Sequence, residues 1–99
     1  MATLYRVNEV DGIVCACDTV EVQPKNGTDF QLEELQDYIG GYIEIVRLNG
    51  DEIMVIDEEG KLKDLPFNVG ATLVFNERSG IMDDIIVGNA LVCKTEEVR

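Results

Sequence analysis

Carboxylates dominate the reactive groups of this chain. Glu58 and Glu59 adjoin, Lys61 follows them across Gly60, and Asp83-Asp84 form a second acidic pair. Two carboxylates held close together can share acid and base roles. On exposed turns the same pairs are simply solvated charge. Asp51, Asp57, Glu58 and Glu59 do not meet the calcium-loop spacing D-x-[DN]-x-[DN]-G. The chain has no histidine, which excludes Ser-His-Asp and Cys-His nucleophile systems. No GxxxxGK[ST] phosphate loop occurs, and Gly40-Gly41 does not continue into a dinucleotide fingerprint. Cys15, Cys17 and Cys93 supply three thiols but no fourth zinc ligand and no C-x-x-C. They read as buried apolar residues. The chain is therefore read as non-enzymatic, with no catalytic residue, no metal and no cofactor.

What remains is a polar corner able to hold a ligand. Asn68 stands at the start of a predicted helix, where free backbone N–H groups favour an anion. Gly40 and Gly41 permit close backbone approach, and Lys61, Lys63 and Arg47 are the nearest basic residues by sequence. The candidate ligand-binding set is Gly40, Gly41, Arg47, Glu58, Glu59, Lys61 and Asn68. The competing reading is that Asn68 only caps, the glycines only turn and Lys61 is solvated.

The elements that must position this corner form one small α+β domain over residues 1–99. Its fold class is a mostly antiparallel sheet with a central β-hairpin (42–57) and one or two short helices, about 31–39 and 68–75. Thr3 to Glu9 and Ile13 to Val22 read as strands around an Asp11-Gly12 turn. Thr28 with Gln31 fits a capping box, and a start one turn later reads equally well. Leu32, Leu35 and Ile39 make one apolar stripe, while Glu33, Glu34 and Asp37 face water. Gly40 suits the left-handed helix end. Asn49-Gly50 predicts a two-residue reversal. That register sets Ile43 opposite Ile56, Ile45 opposite Met54 and Arg47 opposite Glu52, and so gathers one apolar face. Asn68 begins the second helix, although Gly70, Thr72 and Val74 leave a strand open there. Ile85 to Cys93 reads as the last strand.

Twenty acidic against eight basic residues give a net charge of −12. Direct nucleic-acid binding is not expected, because counterion release needs clustered lysine and arginine. The acidity could imitate nucleic acid, could meet a cation or a basic partner, or could simply keep the protein soluble. No apolar run approaches the ~20 residues that span a bilayer, and Met1 to Arg6 does not resemble a secretory signal. The expected setting is the cytoplasm, without membrane contact and with disulfides out of place.

Several pieces taken together resemble a family of small proteins of phages, conjugative elements and gut metagenomes, a domain of unknown function. They are Asn26-Gly27, Phe30, Leu32-Glu33-Glu34-Leu35-Gln36, Gly40-Gly41-Tyr42-Ile43-Glu44, Glu58-Glu59-Gly60-Lys61-Leu62, Leu65-Pro66, Asn68, Ala71-Thr72 and Ile86-Val87-Gly88. Asp57 departs from the pattern, which usually has Asn there, and Cys15-Ala16-Cys17 lies outside it. The resemblance implies a mobile-element setting and host-cell cytoplasm, where small proteins commonly inhibit or sequester host factors. The first expectation is a non-catalytic anti-defence sponge for a small anionic host molecule, such as a signalling nucleotide. Its pocket would be shared by two copies, so a homodimer is left open. The alternative is an acidic protein-directed inhibitor or DNA mimic that blocks a host protein. An enzyme using carboxylates and a metal comes third.

Overall fold

A computed structural model describes residues 2–10, 13–81 and 84–98, and for residues 8–10 and 13–17 the backbone only. The Asp11-Gly12 turn, Asp83 and the side chains of Cys15 and Cys17 lie outside the described residues. In chain order the elements are β1 (Ala2–Val10), β2 (Ile13–Val22), α1 (Leu32–Ile39), β3 (Ile43–Arg47), β4 (Glu52–Asp57), α2 (Val69–Ser79) and β5 (Ala90–Lys94). A short 3-10 turn, Thr95–Glu97, follows. The strands form one antiparallel sheet in the order β2-β1-β5-β4-β3. Two hairpins, β1–β2 and β3–β4, are joined through β5 between them. The fold is α+β, as expected, with both predicted helices present.

The sheet is covered on both faces. On one side Leu35 and Ile39 of α1 pack with Leu4, Ile53, Val55, Leu91 and Cys93. On the other, Ala71 and Phe75 of α2 pack with Met54, Ile86, Ala90 and Val92. Adjacent residues of β4 and β5 thus enter different cores, as the period of two requires. Each large apolar side chain buried this way contributes about 1.5–3 kcal/mol. Both helices are therefore held by the same two central strands.

That double cover overturns the expected hairpin register. The reversal centres on Gly50 (φ 59) and Asp51, with the Glu52 N–H donating to the Asn49 carbonyl at 3.2 Å. Three residues, not two, separate the pair Leu48 and Glu52, whose N–H and carbonyl meet at 3.1 Å. Ile43 stands opposite Asp57, Ile45 opposite Val55 and Arg47 opposite Ile53. Met54 and Ile56 consequently belong to the face opposite Ile43 and Ile45. Ile53-Met54-Val55 is an unbroken apolar run, buried throughout. Such a run fits a strand covered on both sides, so hydrophobicity alone does not choose its register. Glu52, expected to face Arg47, instead accepts from Arg78 of α2 at 3.0 Å.

Three local expectations also change. α1 takes the later of its two starts, after Gln31. Glu34 is buried rather than wet, because its carboxylate accepts from the Lys25 N–H (3.0 Å) and the Gln31 N–H (3.3 Å). Leu32, assigned to the apolar stripe, is 58% exposed. Gly40 does end α1 in the left-handed region, at φ 90. The last strand begins at Ala90, not Ile85. Residues 86–88 instead run beside α2, where the Ile86 N–H donates to Thr72 Oγ1 (2.9 Å) and the Ile86 carbonyl accepts from the Asn68 N–H (2.9 Å). These bonds occupy groups that a longer ladder would need.

Candidate functional site

The chemistry-bearing residues converge on the connection from β4 to α2. Asp57, the last residue of β4, organises it. Its Oδ1 accepts from the Glu59 N–H at 2.8 Å, and its Oδ2 accepts from Lys63 Nζ at 2.9 Å. The Gly60 N–H donates to the Asp57 carbonyl at 3.2 Å, and the Leu65 N–H to the Gly60 carbonyl at 3.2 Å. Asp57 is 5% exposed. Burying a carboxylate costs stability unless a cation and N–H donors meet it, as Lys63 and the Glu59 N–H do here. Lys63 reaches it across Gly41, where a Cβ would lie 2.6 Å from the lysine Nζ. Glycine at 41 therefore keeps the path of the lysine clear.

Lys61 turns the other way. Its Nζ meets Asp84 Oδ1 at 2.6 Å, and the Ile85 N–H donates to the same oxygen at 2.8 Å. The lysine hydrogen bond, followed by that backbone N–H, holds the Asp84 carboxyl below its ordinary range. Both side chains of this pair are well exposed.

Beside this pair lies a cleft of about 170 Å³. Val46, Ile56, Phe75 and Ile86 line its apolar part, and Leu62 and Ile85 stand at it as exposed apolar residues, Leu62 at 85%. Its charged lining is Glu44, Asp57, Glu58 and Asp84, four carboxylates against the single cation Lys61. Asp57 and Asp84 have lysine partners. Glu44 and Glu58 have no ion pair among the described residues. The cleft is thus apolar inside and negative at its margin.

The predicted site residues are divided rather than gathered. Glu58 and Lys61 line this cleft. Gly41 and Glu59 line a separate open hollow of about 300 Å³ with Gln36, Tyr42 and Lys63. Gly40 caps α1, and Arg47 is exposed near the end of β3. Asn68 lies at 0% exposure. Its side chain accepts from the Ala71 N–H (3.0 Å) and donates to the Tyr5 carbonyl (3.0 Å) and the Gly88 carbonyl (2.9 Å). It caps α2 and ties it to β1 and to the 86–88 segment. Glu44, Leu62, Asp84 and Ile85 were not singled out as a site. No sequence signal joins Glu44 of β3 to Leu62 and the 84–85 segment, which only the fold brings to one cleft.

Cys93 belongs to the core beside α1, and burial followed by the charge of Glu97 pushes its thiol up to about 12. It stays protonated at neutral pH and is no nucleophile. Among the described residues, no group of three or more metal-binding side chains occurs, and no helix is long and apolar enough to cross a membrane.

A family model described as a domain of unknown function, DUF3846, matches residues 10–98. The chain belongs to the DUF3846 family. The match covers β2 to β5 and therefore the whole β4–α2 connection of this DUF3846 domain. No curated protein and no solved structure matches the chain.

Proposed function

We propose that this DUF3846 protein is a non-catalytic binding domain that engages a basic partner protein through the acidic-margined cleft. The observation that supports this reading is the pairing of both turn lysines with aspartates. Lys61 and Lys63 are committed to Asp84 and Asp57, while Glu44 and Glu58 at the cleft have no ion pair among the described residues. An incoming cation meets free carboxylates, and an incoming anion would first have to break an existing ion pair. The net charge of −12 acts in the same direction at long range, steering basic partners toward the surface. In a mobile-element setting such a domain would act by occupying a host protein.

The small-anion sponge has less support. The cleft of about 170 Å³ falls below the ~300–1,000 Å³ of pockets that enclose a small-molecule ligand, and in the open hollow of about 300 Å³ at Gly41 and Glu59 the cation Lys63 is already paired with Asp57. The cleft has room for one or two side chains of a partner. Asn68, the residue expected to hold an anion at a helix start, has its side-chain oxygen and nitrogen committed within the fold.

Titration calorimetry separates the readings. A short peptide alternating lysine and valine is expected to bind, with affinity falling as salt rises. Replacing Glu44 and Glu58 together by glutamine is expected to weaken it. A panel of cyclic and ADP-ribose-type nucleotides is expected to give no heat. Heat from a nucleotide with silence from the peptide would reverse the assignment.

A further inference from the structure

The partner's mode of attachment can be read from the phase of the β3–β4 ladder. Antiparallel pairs alternate between hydrogen-bonded and non-hydrogen-bonded. The Leu48 N–H donates to the Glu52 carbonyl (3.1 Å), and the Glu58 N–H donates to the Tyr42 carbonyl (2.9 Å). Both pairs involve even-numbered residues of the β3 side, so Glu44 and Val46 also turn their main-chain groups toward β4. Ile43, Ile45 and Arg47 must then turn theirs the other way. β3 is the last strand in the sheet order, and no described strand pairs with it on that side. Three N–H donors and three carbonyl acceptors, at alternate residues, therefore face outward along the edge.

We propose that this edge of β3 seats the basic partner as an added sixth strand. The inference rests on the acidic-cleft reading and specifies how the partner is held. Glu44 and Val46 of β3 line the cleft, so a strand laid against β3 has alternate side chains directed over it. A lysine or arginine there meets Glu44 and Glu58. The intervening residues lie on the other face beside Ile45, which is 47% exposed and suits an apolar neighbour. The occupant is thus an extended segment alternating basic and apolar residues. A second copy of this chain is a poor fit, because on the cleft face its β3 would bring Glu44 and Val46, with Arg47 on the other face, and with a further −12 of charge. Natural edges are commonly blunted by proline, bulges or covering loops. β3 has no proline, and its five residues pair with β4 without a register shift.

The test uses the lysine–valine peptide and amide exchange read residue by residue by NMR. Saturating peptide is expected to slow exchange at Ile43, Ile45 and Arg47 by about tenfold or more, as new main-chain hydrogen bonds form. Ile45→Pro removes one outward N–H without touching the β4 ladder, and is expected to weaken the peptide by about tenfold. Amide protection in β4 and β5 reports whether that variant is folded. If it is not, a peptide N-methylated at alternate residues makes the same test on the wild-type chain. Binding that is unchanged by the proline or the N-methyl groups, with the three amides still exchanging freely, overturns the added strand. In that outcome, sensitivity to the Glu44/Glu58 glutamine pair leaves the cleft reading standing. Complete silence of the wild type toward the peptide overturns both. Self-association that disappears in Ile45→Pro, with the peptide silent, gives the edge to a second copy and also overturns the proposal.

Discussion

Two lysines two residues apart in one turn meet opposite fates. Lys63 reaches a carboxylate that is almost fully buried, and Lys61 reaches one that is well exposed. The first ion pair belongs to an inner polar cluster, with Asp57 serving the turn and Asn68 serving α2. The second belongs to an outer margin that includes Glu44 and Glu58. Inside, the side-chain polar atoms are bonded within the chain, and no buried one is left unpartnered among the described residues. Outside, charge is left over. Burial, not residue type, decides which group is structural and which remains free for a partner.

The contrast breaks most visibly at Asn68. Asn68→Ala removes the α2 cap and the donor to the part-buried Tyr5 carbonyl and the buried Gly88 carbonyl. The expected loss is about 3–4 kcal/mol. Thermal unfolding should show it as a fall of roughly 15–25 °C. A loss under about 1 kcal/mol would mean the inner cluster is not tightly coupled. Lys63→Ala comes next, because it takes the cation from the buried Asp57 carboxylate and leaves it, among the described residues, the Glu59 N–H as donor. Denaturant unfolding should register about 2 kcal/mol. Adding Asp57→Asn to that variant should recover much of the loss, since the amide still accepts that N–H without an orphaned charge.

The outer pair should respond weakly. Lys61→Ala is expected to change stability by no more than ~0.5 kcal/mol, because both partners are solvated. Its signature is electrostatic instead. The Asp84 carboxyl is held below its ordinary 3.8 by the Lys61 hydrogen bond. A lowered folded-state value stabilises the fold above pH 3.8, and that contribution is lost as pH falls below it. Carboxyl NMR titration should show the Asp84 midpoint rising toward 3.8 in the variant. Smallest of all is the expected stability change for Glu44→Gln with Glu58→Gln, within ~0.5 kcal/mol and with no fall in the unfolding midpoint. The same variant should lose affinity for the lysine–valine peptide, which separates a binding role from a structural one.

Local signals in the chain are legible at the helix ends, where one short stretch contains both partners, but Asn49-Gly50 marks the hairpin without fixing its loop length. Gly40 after an apolar-periodic segment marks the end of α1, and Asn68 caps α2 through an N–H three residues on. The strands flanking Asp11-Gly12 were equally legible. Long-range partners were not. Nothing near Glu34 announces that the Lys25 N–H will draw it inward, and nothing near Asp84 announces Lys61. Exposed acids and lysines have the same composition whether they pair or stay free.

The amino-acid order alone determined the fold class, the first helix and its end, the Asn68 cap and the existence of the β3–β4 hairpin. These depend on periodicity, caps and composition, which are local properties. The three-dimensional packing decided the hairpin register, the burial of Asn68 and Asp57, and the separation of the candidate residues into a cleft and a hollow. Those outcomes depend on α1 and α2 covering opposite faces of the same sheet. That choice is made by contacts between segments far apart in the chain, where no single stretch holds both sides of the interaction.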